Sequence, residues 1–592
     1  MTCTFQSIRS LCAAGVLGVV GLCTPIAAAQ QQVPSKVDIS WNRFYDYKEM
    51  TKIMHDLAAA YPELLTLESI GKSEQGRDLW LITLNNPKTG MASDKPAMYI
   101  DGNVHGNEIQ ATETVLYSIW YLTKSYGEVE QLTELMDRVS FYFLPSQNPD
   151  GRAEWFENPN TPHSARTGQR PTDNDFDGLL DEDGPDDLDG DGHITQMWKI
   201  DPNGTHRRNE IDPRIIERAP EGSQGNLTRI GSEGIDNDGD GRINEDGPGG
   251  YDMNRNWASD WQPNHLQRGA GEYPFDRPET NAIAQFILDH PNIAAGQSYH
   301  NTGGMILRGP GARYLGNLYP YADKAVYDKL GEAGEEMLPF YDYMIIHADL
   351  YTVHGGFVNW LAEGLGIVSF TNELWTDSRR MPDPDRKYSD SERMHWQDRM
   401  LFGQTFTNYT EHDHPTHGKV LIGGGTKYSS RVTPPFMLEE GCHRNFAFSV
   451  FHAGNMPELG FKWVGIKQLD SKLWEVTVEI ENTKIIPTRL AHAAKNQIGL
   501  PDQLSWTGGE VVLAGTVSDR FDRTIRPVNH RPSLLMIENG IGGNDFETFR
   551  FLVQGSKSTP ITLRYTAEKA RDIELRLKLQ EGETDFTVDA RE

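Results

Sequence analysis

Apolar and polar positions give this chain two textures. From about residue 45 to 410, short apolar runs alternate with segments whose apolar residues recur at helical spacing. Runs at 78–84, 97–100, 139–144, 293–299 and 367–371 read as strands. Residues 47–64, with Met50, Ile53, Met54 and Leu57 on one face, read as a helix, as do 111–122 and 279–288. Such alternation predicts an α/β domain with a mixed, mostly parallel sheet and helices on both faces. The polar stretch Glu411-His412-Asp413-His414-Pro415 reads as a linker. Beyond it, period-two runs at 446–450, 474–480, 510–513, 549–553, 561–565 and 573–579 predict an all-β sandwich over residues 413–592. At 592 residues the chain is too long for one core, which agrees with this division.

The first residues have a different character. Arg9 is the only charge before an apolar run at 11–22, and Ala27-Ala28-Ala29 offers a small-x-small cleavage site. Residues 1–29 therefore read as a signal peptide, and the mature chain as secreted or periplasmic. The run is too short to span a bilayer, and no other segment is long and apolar enough, so no membrane insertion is expected. Three of the four cysteines lie within the signal, which leaves Cys442 as a lone thiol and no internal disulfide. With 56 basic and 85 acidic residues the formal charge is −29, which argues against nucleic acid and anionic membranes as partners.

Much of the negative charge is local: residues 173–191 contain ten acidic residues and no Lys or Arg. Here the sequence repeats. Asp173, Asp175 and Asp177 precede Gly178, with Asp181 following; Asp236, Asp238 and Asp240 precede Gly241, with Asn244 following; Asp187, Asp189 and Asp191 precede Gly192. Alternate aspartates put three carboxylates on one side of a loop, and the glycine permits the turn that wraps it around a cation. The hard oxygen ligands suit structural Ca2+. The carboxylates after the glycine come earlier than the twelfth position of an EF-hand, and the spacing is closer to the calcium repeats of thrombospondin type 3 modules. Bound calcium would order a long loop in an exported chain without disulfides.

The sharpest local motif is His105-Gly106-Asn107-Glu108, between the run at 97–100 and the helix at 111–122. A strand end feeding a helix is where open α/β sheets hold ligands. A neutral imidazole and a carboxylate on one turn can hold zinc and leave positions for a third ligand and a water. Further on come Asn148-Pro149-Asp150-Gly151, Asp252-Met253-Asn254-Arg255-Asn256-Trp257, Ser298-Tyr299-His300, Tyr351 before Gly355-Gly356, and Thr371-Asn372-Glu373.

This ordered series resembles the zinc metallocarboxypeptidases of the carboxypeptidase A type. The resemblance implies a catalytic domain over 38–412, interrupted by the acidic insertion at 171–248. It implies His105, Glu108 and His300 as the ligands of one catalytic zinc and Glu373 as general base. It implies Asn254, Arg255 and Tyr351 as the clamp on a substrate's terminal carboxylate, and Val358 as the floor of the pocket for the terminal side chain, favouring aliphatic or aromatic residues. The family's oxyanion-stabilising arginine has no clear match; Met197-Trp198-Lys199 places Lys199 there, with Arg207 and Arg208 as alternatives. The implied substrate is a peptide or protein C-terminus. A murein-peptide hydrolase of the same family and an inactive calcium-stabilised binding module are the competing readings. His412, His414 and His417 read as solvent-exposed rather than metal-binding. The C-terminal β domain carries no catalytic signature.

Overall fold

A computed structural model describes residues 33–383, 386–527 and 531–586. The expected signal peptide lies outside them.

Eight strands form the central mixed sheet, in the order Leu65–Lys72, Asp78–Leu84, Ser140–Leu144, Ala97–Gly102, Ile293–Asn301, Val368–Leu374, Met305–Arg308 and Asp342–Ile345. The four in the middle run parallel, and antiparallel pairs flank them on both sides. These middle strands are buried on both faces, which is why they read as unbroken apolar runs. Successive side chains of Ala97–Gly102 separate accordingly. Met98 and Ile100 enter one core with the helices Tyr47–Ala60 and Gln110–Ser125, while Ala97 and Tyr99 enter another with Pro278–Leu288. Asp46 opens the first helix with a capping box, its carboxylate accepting from Glu49 N while Glu49 reaches back to Asp46 N.

Residues 446–450, expected as a strand, lie inside the helix Leu438–Gly454, which packs on Gln110–Ser125 beneath the central sheet. Gly441, Cys442, Asn445, Ser449 and His452 are among its buried residues, and this mixture of small and polar types hides the helical period. Nor is 411–415 a linker. It closes a hairpin of Phe406–His414 with Gly418–Gly425. His414 is buried, its Nε2 2.9 Å from Gly234 O, and its Nδ1 accepts from the amides of Thr416 and His417, so it fixes the hairpin turn instead of facing solvent.

That hairpin joins a separate six-stranded sheet with strands of the insertion, Gly418–Gly425 pairing with Gln196–Ile200 and Gln196–Ile200 with Leu227–Ser232. After Leu459 the chain forms two facing antiparallel sheets of six and four strands around Trp474, Val476, Phe549, Phe551, Leu563 and Tyr565. This all-β unit docks on the α/β unit through Asp323, which accepts from the amides of Ala491 and His492, and through Lys569, whose Nζ donates to the carbonyls of Leu365 and Gly366. No helix among the described residues is long and apolar enough to cross a membrane.

Candidate active site

The parallel strands end at one rim, and the site is built there. Asn103, in the left-handed region at φ +57°, turns the chain after Ala97–Gly102 and donates to the carbonyls of His105, Gly106 and Glu108. Gly106 is pinned in this turn. A Cβ there would lie 2.3 Å from Ala165 O and Gly151 C, and its N–H donates to Arg166 O at 3.1 Å.

His105, Glu108 and His300 are all buried and converge. His105 Nδ1 lies 2.8 Å from Glu108 Oε1, and His300 Nδ1 lies 3.0 Å from Glu108 Oε2. The rings stand 5.0 Å apart at 70°. Two imidazole nitrogens and a carboxylate oxygen within 4.8 Å of one another fit a tetrahedral zinc ion with a position left open. The other nitrogen of His105 faces Asp252 Oδ1 at 3.1 Å, the arrangement that fixes the tautomer and orientation of a metal-ligating histidine. Burial raises Glu108, but the two histidines outweigh it and hold its carboxyl well below the usual range.

Glu373 sits beside His300 in register on the neighbouring parallel strand. Its Oε2 is buried without a partner. Burial first, then the charge of Glu108, pushes its carboxyl up to about 7, against the pull of His300, Arg166 and Arg431. A carboxyl poised there can both take and return a proton near neutral pH.

The residues expected to clamp the substrate lie close by. Asn254 Oδ1 accepts from Phe357 N at 2.9 Å, which fixes the side chain and leaves its NH2 without a partner among the described residues. Arg255 is buried and makes a single side-chain hydrogen bond, to Asn254 O at 2.7 Å, with no ion pair among the described residues. Its backbone carbonyl touches Gly355, where φ is +64° and a Cβ would come within 2.2 Å. Tyr351 is exposed, with its hydroxyl in the electrostatic field of Arg166. Val358 is buried in the core cluster of Trp257, Phe357 and Trp360.

Lys199 is not at this site. It lies exposed on Gln196–Ile200 in the inserted sheet, facing Asp201 and His417. Arg207 pairs with Glu210 and Glu217, and Arg208 donates to Pro213 O. The arginine that does reach the site is Arg166, with Nη1 2.9 Å from Glu108 Oε1 and Nη2 3.7 Å from Asp252 Oδ2. A second, Arg431, has Nη2 3.3 Å from Glu108 and donates to Asn301 O at 2.8 Å. No spacing in the sequence links positions 166 or 431 to 108; only the Gly106 contact and the return of the chain after the hairpin bring them together.

The acidic repeats fold as three loops of one design. Oδ2 of Asp173, Asp187 and Asp236 accepts from the amide of Gly178, Gly192 and Gly241 respectively, at 3.0, 2.9 and 3.1 Å. Those glycines have φ of +99°, +85° and +97°. Asp175, Asp189 and Asp238 accept from the amides of Asp177, Asp191 and Asp240. Asp181 instead turns to Thr172 N, and Asn244 donates to Ser232 O.

A profile of the zinc carboxypeptidase family matches residues 50–397, more than half of the chain, and a domain family of unknown function matches 458–578. Carboxypeptidase B of Astacus astacus is 35% identical over 118 residues, covering 20% of this chain and 37% of its own length. Carboxypeptidase D of Drosophila melanogaster is 30% identical over 134 residues, 21% of this chain and 10% of its own. The chain thus spans well under half the length of these relatives. Carboxypeptidase A from Helicoverpa armigera superposes with a TM-score of 0.43 at 17% identity, over 70% of this chain and 74% of that one. By its family match, this chain belongs to the zinc carboxypeptidases.

Proposed function

We propose that the protein is an exported zinc carboxypeptidase that hydrolyses the C-terminal peptide bond of peptides and proteins. The observation that carries this is a His–Glu–His set beside the buried carboxyl of Glu373 at one strand rim, with Arg255, which has no ion pair among the described residues, in the field of the Asp252 that faces His105. When bound, zinc supplies Lewis-acid polarisation of the scissile carbonyl and an activated water at neutral pH. Glu373 takes a proton from the attacking water and delivers it to the nitrogen of the leaving residue, so that water is divided between the new carboxyl and the new amine. Arg166, which pairs with Glu108 at 2.9 Å, would stabilise the oxygen on which negative charge develops, in place of Lys199. Arg255 and Asn254 offer a fork and a further donor to the terminal carboxylate, and Tyr351 can close over it. Val358 gives the side-chain pocket an apolar wall. Export rests on the signal-like first 29 residues, and structural calcium on the three aspartate loops.

Mass spectrometry of a peptide panel, half with free and half with amidated C-termini, tests this reading. Single residues should be lost from free termini only, and a zinc chelator should stop the loss. Cleavage restricted to murein peptides would transfer the reading to a cell-wall hydrolase. Tight binding without turnover would make the protein a binding module.

A further inference from the structure

The first and third acidic repeats fold against each other. Asp183 N donates to Asp246 O at 3.2 Å and Asp246 N to Asp183 O at 3.1 Å, an antiparallel bridge between equivalent positions of the two loops. Around it the carboxylates gather in exchanged pairs. Asp238, Asp240 and Glu245 of the third repeat meet Asp175 of the first; Asp175, Asp177 and Glu182 of the first meet Asp238 of the third. Asp173 and Asp175 meet Asp246, and Asp236 and Asp238 meet Asp183. In each group the ligand oxygens lie within 4.8 Å of one another. Asp175 and Asp238 therefore stand in both halves.

Backbone amides satisfy Asp173 and Asp246, but other carboxylates in these groups lack compensation. Asp183, which groups with Asp236 and Asp238, is fully buried; Asn237 Nδ2 donates to its Oδ1 at 3.2 Å, and its Oδ2 has no hydrogen-bond partner. Neither carboxylate oxygen of Glu182 or Glu245 has one. Among the described residues the one ion pair made by either loop is Arg242 with Asp240, at 3.9 Å. Carboxylates removed from water without donors or counter-charge are costly. Hard, oxygen-only groups with several negative charges are what Ca2+ selects. The middle repeat points the same way. Glu233 is fully buried beside Asp187, Asp189 and Asp191; its Oε2 accepts from Thr195 Oγ1 at 3.0 Å, and its Oε1 is unpartnered.

The paired loops stand at the base of the insertion, and the chain entering and leaving that base builds the zinc site. Arg166 lies just before it and Asp252 just after, with Gly168 N donating to Tyr251 O at 3.1 Å between them. Asn174 Nδ2 ties the first loop to Gly249 O at 2.9 Å. Glu182 and Glu245 line one cavity of about 600 Å³ together with Ser164, Thr167 and Gln169 of the segment that carries Arg166.

We propose that the first and third repeats form one two-ion calcium clasp, with Asp175 and Asp238 shared between the ions and Asp183 and Asp246 reaching across, and that this clasp holds Arg166 and Asp252 in position at the zinc site. The proposal rests on the calcium and zinc readings above and adds a shared geometry and a coupling.

Full-length protein stripped with EGTA, desalted and reloaded with zinc is titrated with calcium chloride. Calorimetry and kcat/KM on a cleaved peptide are followed together. Calcium should raise kcat/KM by at least about tenfold, the size expected when partners of a metal ligand are displaced, at constant zinc content. Asp175→Asn should weaken both clasp ions, Asp238→Asn should do the same, and the double variant should be little worse than either. Asp189→Asn, in the middle repeat, should leave that pair intact. One ion lost per single variant, with additive losses, overturns the shared geometry. Calcium uptake at unchanged kcat/KM overturns the coupling. No heat on adding calcium overturns the calcium reading while leaving zinc-dependent cleavage as it stands. The wild-type stoichiometry and return of activity decide the matter even if a variant fails to fold.

Discussion

Two carboxylate-rich regions lie a short stretch of chain apart and resolve their charge in opposite ways. At the strand rim, Glu108 is flanked by His105 and His300 and approached by Arg166 and Arg431. The protein supplies the counter-charge, and Glu108 stays well below the usual carboxylate range despite its burial. In the acidic loops a single arginine stands at the edge, and buried oxygens of Asp183, Glu182, Glu245 and Glu233 have no partner. Counting carboxylates does not separate these regions. What separates them is whether the fold already satisfies the oxygens: the first holds its shape on its own cations, and the second leaves buried oxygens that the proposed calcium ions would satisfy.

The largest effect should come from removing the carboxyl proposed as the general base. Glu373→Gln keeps volume and burial but cannot shuttle a proton. We expect kcat to fall by roughly 10²–10⁴ with bound zinc unchanged, read by steady-state kinetics and metal analysis on the same sample. Loss of zinc along with activity would make Glu373 part of the metal's surroundings and remove it as the base.

Next comes the counter-charge itself. Arg166→Ala should lower kcat by about 100- to 1000-fold, as expected for a lost oxyanion donor, while Lys199→Ala should leave it within about twofold. The reverse ranking would return the oxyanion role to Lys199 and show that the rim does not depend on its own arginine.

How the sequence misplaced that arginine is instructive. The four middle strands were legible because burial on both faces makes each a plain apolar run, and the residues at their ends, His105, His300 and Glu373, inherit their place from the strands. The sandwich strands after Leu473 were legible from alternation. Lys199 stands next to Trp198, but that segment folds into the separate sheet shared by the insertion and the 406–425 hairpin, so adjacency in sequence there says nothing of the rim. Arg166 and Arg431 reach Glu108 through tertiary contacts that leave no periodic trace. The helix at 438–454 was masked by aromatic residues at alternate positions, and the hairpin at 406–425 by its polar edge. The aspartate loops were read correctly as turns around glycine, but the pairing of the first with the third depends on the Asp183–Asp246 bridge, which sequence order hides behind the middle repeat.

A third change acts at the junction of the two regions. Asp252→Asn leaves the volume but removes the charge that orients His105 through its Nε2. Zinc affinity should fall by about 10- to 100-fold, measured by competition with a chromogenic chelator in calcium-saturated protein. An unchanged affinity would show that Arg166 and Arg431 alone fix the rim and that Asp252 matters only to the insertion.

The smallest effect is also the most direct contrast between the regions, because it reads the sign of their charge compensation. Burial pushes the Glu233 carboxyl up to about 8; the Thr195 hydroxyl opposes this, and Asp189, Asp187 and Asp191 add to it. A carboxyl raised in the fold ionises first in the unfolded chain. The stability it contributes is whole below the ordinary glutamate range near pH 4.3 and is lost as pH rises through the folded value, so the window runs from about 4.3 to about 8. Calcium-free protein should therefore melt at a lower temperature at about pH 8 than at about pH 5. Glu108 behaves oppositely: its folded value is depressed, so its contribution is lost only as pH falls into the acid range. On the calcium reading the ion would meet the ionised form of Glu233, so millimolar calcium should flatten the alkaline loss and leave the acid limb in place. Glu233→Gln, which can keep the Thr195 contact, should remove the alkaline loss without calcium and shrink the calcium effect. A melting temperature that falls equally with and without calcium would mean that no ion meets Glu233, and that the loops tolerate their unpaired oxygens unaided.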